Sequence, residues 1–166
     1  MTTKFHHKVL VVDDNENLLE AIAKSLDDIC QCVLTAQDAE KGREILEKEH
    51  VSIVLSDLLM PGVNGLDFIK GVKEQWPHVL CILLTGYGDK EICQSALDLG
   101  VFDYLEKPFR WDMLVHRIRN ALIMANMQEE RDLLLTKHLP VGSVNSMEEF
   151  YKLSLNEQID LVRELK

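Results

Sequence analysis

Five short apolar runs, KVLVV, CVLTA, VSIVL, VLCILL and VFDYL, recur along this chain, each followed by a stretch of helical periodicity. The runs are rich in β-branched residues and lack polar-apolar alternation, the pattern of strands covered on both faces. The first helical stretch, from about Asn15 to Ile29, sets Leu18, Leu19, Ile22, Leu26 and Ile29 on one stripe, with Glu16, Glu20, Lys24 and Asp27 outside it. Asp14 or Asn15 is placed to cap it. Weaker stripes follow at 38–49 (Ala39, Ile45, Leu46), 65–75 (Leu66, Ile69, Val72) and 89–99 (Ile92, Ala96, Leu97, Leu99). Trp111, Leu114, Val115, Ile118 and Leu122 supply a fifth. Strict β-α repetition forces parallel strands joined by right-handed crossovers, and five such units fit a doubly wound α/β sheet of order 2-1-3-4-5.

That order locates a site. In an open parallel sheet the crevice lies beyond the carboxyl ends of the strands where the winding reverses, here between the first and third strands. Asp13 and Asp14 follow the first run and Asp57 the third, so three carboxylates meet at one corner. Held a few Å apart, ionised carboxylates repel by roughly 4 kcal/mol per pair at an effective dielectric near 20, which calls for a cation or shifted pKa values. An oxygen-only donor set suits Mg²⁺. Thr85 and Lys107, at the ends of the fourth and fifth runs, can flank a phosphoryl group there, with the Asp57 carboxylate as in-line nucleophile and the Lys107 ammonium neutralising transferring oxygens.

Taken one at a time, these features have ordinary explanations: Asp-Asp before a helix is a cap with a solvated neighbour, DLLMPG a turn, Lys-Pro a loop. Their joint occurrence at successive strand ends, with the segment DLLMPGVNG, resembles the receiver domain of two-component response regulators, with its flavodoxin-like fold, over residues 8 to about 126. The resemblance implies that Asp57 is the phosphorylated aspartate, Asp14 a direct metal ligand and Asp13 a ligand through water. It further implies a metal contact from the Leu59 backbone carbonyl, a hydroxyl switch at Thr85, an aromatic switch partner at Tyr104, and a phosphate-binding Lys107 with a cis bond to Pro108. Tyr104 as half-buried packing stays open beside the switch role. The protein would be a phosphoacceptor that takes its group from a sensor histidine kinase, assisting only its own phosphorylation and dephosphorylation rather than acting as an enzyme.

Rival chemistries on this architecture find no support. A flavin carrier needs a Ser/Thr/Gly-rich loop after the first strand, and DDNEN would repel a cofactor phosphate. A phosphatase of the haloacid-dehalogenase-like class needs an acid two residues after the nucleophile, where Leu59 stands. No GxxxxGK loop is present. A net charge of −10 without a Lys/Arg run gives no drive toward nucleic acid or anionic membranes, leaving proteins as the expected partners. No stretch has signal-peptide or membrane-spanning character, so the expected location is the cytoplasm, with Cys30, Cys32, Cys81 and Cys93 reduced. His6 and His7 read as a solvated tail before the first strand.

The domain reading is a receiver at 1–126 and a helical tail at 127–166 that is not an independent domain. The fifth helix is expected to extend to about Lys137, before Pro140 and Gly142 break it. Ser146 with Glu149 and Ser154 with Glu157 read as capping boxes of two short helices. Apolar residues in this tail point to association, on the receiver itself, on a second copy as a homodimer, or on a partner. Two outputs remain: a stand-alone module acting by protein contact, or the regulatory part of a larger regulator whose DNA-binding or enzymatic domain is missing.

Overall fold

A computed structural model describes residues 4–86, 90–138, 147–153, 157, 158, 160 and 161. Five strands, β1 (Phe5–Val12), β2 (Cys30–Ala36), β3 (Ile53–Asp57), β4 (Leu80–Thr85) and β5 (Asp103–Glu106), pair in parallel in the order β2-β1-β3-β4-β5. Between them run α1 (Glu16–Leu26), α2 (Ala39–Lys48), α3 (Gly65–Gln75) and α4 (Lys90–Asp98); α5 (Trp111–His138) and α6 (Met147–Lys152) follow. The doubly wound α/β sheet is thus the one expected from the repetition of the five runs.

Alternation along each buried strand feeds two cores. On one side Val9, Val11, Ile53, Leu55, Ile82, Leu84 and Leu105 meet Leu19, Ile22 and Leu26 of α1 and Leu114, Ile118 and Leu122 of α5. On the other, Leu10, Val12, Val54, Cys81 and Leu83 meet Leu46 of α2, Phe68, Ile69 and Val72 of α3, and Ala96 of α4. Burial of a Leu or Ile side chain contributes about 1.5–3 kcal/mol, so the two layers dominate stability.

Local chemistry sets the helix starts. Asn15 Oδ1 accepts from Leu18 N at 3.2 Å, Asp38 Oδ1 from Lys41 N at 2.8 Å, and Asn64 Oδ1 from Leu66 N at 2.9 Å, each satisfying a donor that the helix cannot. Of the two cap candidates for α1, Asp14 and Asn15, Asn15 is the one used, and its own N–H donates to Asp13 Oδ1 at 2.8 Å.

Three sequence expectations change. Helix α1 stops at Leu26, short of Ile29, because Ile29 O accepts from Phe5 N at 2.8 Å and begins the pairing with β1. Leu97 and Trp111, assigned to buried stripes, are 51% and 45% exposed. Leu97 directly follows the buried Ala96 and so turns off that face of the helix, and the Trp111 ring leans edge-on against Phe109 at 5.7 Å rather than entering the core. His6 and His7 are the third case: both belong to β1, and His7 is buried. Its Nδ1 lies 2.8 Å from Ser52 Oγ and its Nε2 2.8 Å from Asn126 Oδ1, and burial holds its pKa below the usual imidazole value.

Helix α5 runs without a break across residue 126 to His138. Helix α6 returns to it: Tyr151 Oη donates to Asp132 Oδ1 at 2.8 Å, the Arg131 guanidinium lies 5.4 Å over the Tyr151 ring, and Phe150 is buried. Tyr87, Pro140, Gly142, Ser146 and the second capping box at Ser154 lie outside the described residues. Among the described residues no helix is long and apolar enough to cross a membrane.

Candidate functional site

Strand register assembles the acidic corner. Val12 pairs with Ser56, so the next residues, Asp13 and Asp57, emerge side by side. Asp57 pairs with Leu84 and Thr85 with Glu106, which puts Thr85 and then Lys107 one step further along the same rim. Alternation assigns Asp13, Asp57 and Lys107 to the side of Val11, Leu55 and Leu105, the face covered by α1 and α5. Thr85 and Tyr104 fall on the opposite side, with Leu83, toward α4.

The loop after β3 is built for close approach. Met60 is buried and Gly62 has φ +89°, which with Pro61 before it fits a type II turn. Gly65 N donates to Leu58 O at 2.8 Å, and a Cβ on Gly65 would lie 1.9 Å from the Asp57 carbonyl oxygen. The first turn of α3 therefore abuts the backbone of Asp57, and only glycine fits there. Leu58 N donates to Leu84 O at 2.9 Å and Lys107 N to Thr85 O at 2.7 Å, extending the ladders past the ends of the strands.

Lys107 Nζ donates to Asp13 Oδ2 and to Asp57 Oδ1, both at 2.8 Å. Asp13, Asp57 and Thr85 are buried, while Asp14 is exposed at the mouth. Burial pushes the Asp57 carboxyl above its usual pKa and the neighbouring Asp13 charge adds to this, outweighing the opposing hydrogen bond and charge of Lys107. Burial alone would lower the Lys107 pKa, but its hydrogen bonds and charge contacts with Asp13 and Asp57 raise it. The site thus holds the ammonium firmly charged between two acids.

One carboxylate oxygen each from Asp13, Asp14 and Asp57 lies within 4.8 Å of the others. An all-oxygen donor set with one exposed member matches a hard divalent cation that retains water, so these residues fit Mg²⁺. Leu59, two residues past Asp57, has a 66% exposed side chain, and Tyr104 is 38% exposed on β5. The Lys107–Pro108 peptide is cis. Sequence reasoning brought the acids and Lys107 to one corner; the direct Asp13–Lys107 contact it did not foresee, because that contact depends on how far the long Lys107 side chain reaches across the rim from a backbone bonded to Thr85.

Residues 9–119 match the family model described as response regulator receiver domain. The chain is 36% identical over 137 residues to the hydrogenase transcriptional regulatory protein HoxA of Cupriavidus necator, covering 80% of this chain and 28% of that protein. It is 34% identical over 125 residues to the transcriptional regulatory protein FixJ of Bradyrhizobium diazoefficiens, covering 75% of this chain and 60% of FixJ. The chain thus spans less than two thirds of either relative. A response regulator receiver domain from Clostridium thermocellum superposes with a TM-score of 0.69 at 32% identity, over 74% of this chain and 98% of that one. Sheet order, acidic corner and family match agree, and the chain belongs to the response regulator receiver domain family.

Proposed function

We propose that this protein is a phosphoacceptor in which Asp57 takes a phosphoryl group from the phosphohistidine of a sensor histidine kinase. The observation that carries this reading is Lys107 Nζ, 2.8 Å from both Asp13 Oδ2 and Asp57 Oδ1. A lone buried Asp57 would be a poor nucleophile, since burial favours its protonated form. The Lys107 ammonium keeps negative charge tolerable at that oxygen. In transfer, one Asp57 carboxylate oxygen forms the bond to phosphorus while the bond to the histidine nitrogen breaks, and the imidazole departs with the electron pair.

Asp13, Asp14, Asp57 and the Leu59 backbone carbonyl would hold Mg²⁺, which when bound offsets charge on the transferring oxygens. Lys107 then exchanges its contact with the Asp57 carboxylate for one with the phosphoryl group. Thr85, buried at the end of β4, donates its hydroxyl to a phosphoryl oxygen as it turns toward the site. Tyr104, on the same side of the sheet by alternation, follows. The surface formed by α4, β5 and α5 changes, and the signal passes by contact with a protein, or with a second copy through the tail. The functional unit in this reading is a receiver at 1–126 with a helical tail at 127–166, acting in the cytoplasm without direct contact to nucleic acid or membrane.

A second reading makes the chain the regulatory part of a longer regulator. It is favoured by the relatives, in which the matched stretch is 28% of one transcriptional regulatory protein and 60% of another.

The test is incubation with acetyl phosphate and Mg²⁺, followed by intact-mass analysis and borohydride trapping. One phosphoryl group on Asp57, lost in Asp57→Asn and in EDTA, is expected. Modification that persists in Asp57→Asn overturns the assignment.

A further inference from the structure

A cavity of about 410 Å³ opens at the opposite end of the sheet from the acidic corner, between the starts of β1, β3 and β4 and the outer half of α5. His6, His7, His50, His78, Glu129 and Asp132 are among its walls. Four of the chain's six histidines therefore face one space, although they come from three separate segments. From His7 to Asp13 the strand covers about 20 Å, so this is not an extension of the site around Asp57.

Within it, donor atoms of His6, His7 and Glu129 lie within 4.8 Å of one another. Adjacent residues of a regular strand point to opposite faces, but β1 shifts register against β2 between Phe5 and Lys8, and the His6 and His7 rings stand only 4.3 Å apart. Glu129 Oε2 is 2.7 Å from His6 Nε2 and 3.9 Å from His7 Nε2. A contact of 2.7 Å is a hydrogen bond, so the His6 ring and the Glu129 carboxylate already face each other.

We propose that His6, His7 and Glu129 form a binding site for a late first-row divalent transition metal ion, of which Zn²⁺ is the representative, clipping the start of β1 to the outer half of α5.

Two imidazoles and a carboxylate are a three-ligand set that zinc accepts, leaving a further position for water or for His50, His78 or Asp132 from the same walls. Tetrahedral bonds of about 2.0–2.1 Å require donor separations of roughly 3.3–3.4 Å. His6 and Glu129 are exposed and free to adjust to that spacing around a fixed His7. His7 is already oriented from behind by Ser52 Oγ, at 2.8 Å from Nδ1. That hydroxyl donates to one tautomer and accepts from the other, so Nε2 can leave Asn126 for a metal without orphaning Nδ1. Nitrogen-rich donors select against Mg²⁺, which makes the two ends of the sheet chemically distinct.

The experiment is calorimetric titration of Zn²⁺ into the full chain held in excess Mg²⁺, which occupies the acidic corner, with thermal denaturation of the same samples. One equivalent should bind and raise the melting temperature, because the ion joins two elements that separate on unfolding. His6→Ala and Glu129→Gln, both at exposed positions where folding is retained, should each weaken Zn²⁺ at least tenfold. Asp57→Asn should bind Zn²⁺ as the wild type does. The absence of a saturable equivalent overturns the proposal, as does unchanged affinity in both His6→Ala and Glu129→Gln, or loss of binding in Asp57→Asn. Acetyl phosphate labelling of Asp57 is read separately, so failure here leaves the phosphoacceptor reading to its own test.

Discussion

Replacing Gly65 by alanine should damage both the fold and the acceptor site, whereas the same change six residues later in the same helix should not. A Cβ on Gly65 meets the Asp57 carbonyl oxygen at 1.9 Å and Leu58 Cα at 2.9 Å, all backbone that cannot swing aside. To reach the 3.0 Å floor of real contacts, α3 and the end of β3 must part by about 1.1 Å. Such overpacking costs about 1–3 kcal/mol, with backbone neighbours favouring the upper end, and the reduced freedom of the unfolded chain returns about 0.4–1 kcal/mol. The net loss is about 2 kcal/mol, a fall of roughly 4–8 °C in Tm for a chain of this size. At Gly71 the nearest atom is Arg43 Nη2 at 3.4 Å, the end of a flexible side chain. Alanine there should stabilise by about 0.5–1 kcal/mol through helix propensity. Urea denaturation of both variants measures the difference. Labelling by acetyl phosphate measures the second effect: a displacement near 1 Å at the Asp57 backbone should slow phosphorylation of Gly65→Ala up to about a hundredfold. The reasoning fails if the two variants are equally stable, or if Gly65→Ala is labelled at the wild-type rate.

Lys107→Ala should lower stability by about 1–3 kcal/mol in EDTA, since Asp13 and Asp57 lose their shared cation, and Mg²⁺ should recover most of it; equal melting losses in EDTA and Mg²⁺ would refute the ion-pair argument. Burial pushes the Cys81 thiol up to about 12, so native protein should leave it unlabelled by a maleimide that reaches the half-buried Cys32. Peptide mass spectrometry checks this, and comparable labelling of both would contradict the buried assignment. Leu59 is exposed beside the site and cannot orient a water, so Leu59→Asn or Leu59→Glu should shorten the phosphoryl half-life in a decay assay; unchanged half-lives would count against it.

The fold was legible because the covered strands β1, β3 and β4 cannot hide their hydrophobicity, and the alternation of strands with helices leaves few topologies; the edge strands β2 and β5, expected to be covered on both faces, are partly exposed. The acidic corner followed from strand order alone, since order decides which strand ends are neighbours and register then sets Asp13 beside Asp57. Other features depended on contacts that no local pattern carries. His6 and His7 look like a polar tail because the apolar run begins at Lys8, yet Phe5 is drawn into the sheet by its bond to Ile29 and the strand forms around them. Phe68, fully buried between α3 and the sheet, escaped the stripe reading of 65–75, which was drawn through Leu66, Ile69 and Val72. Leu97 was placed inside by periodicity counted too broadly. For His7 the deciding partners, Ser52 and Asn126, lie far away in sequence.

Helix α5 has a mechanical consequence. At 28 residues it is about 42 Å long, far longer than the strand it packs beside. Its inner portion is seated through Leu114, Ile118, Leu122 and Ala125, while the thirteen residues from Ala125 to His138 span about 20 Å beyond that last seat. A rod gripped at one end multiplies angle into distance. A tilt of about 10° at the seat moves the far end by about 3 Å, enough to make or break a side-chain contact. Small repacking under β5 would therefore be read out as a lever stroke at the opposite end of the sheet, and the bonds of Asn126 to His7 and Glu129 to His6, which already fasten the outer half of the rod to β1, would act as its brake.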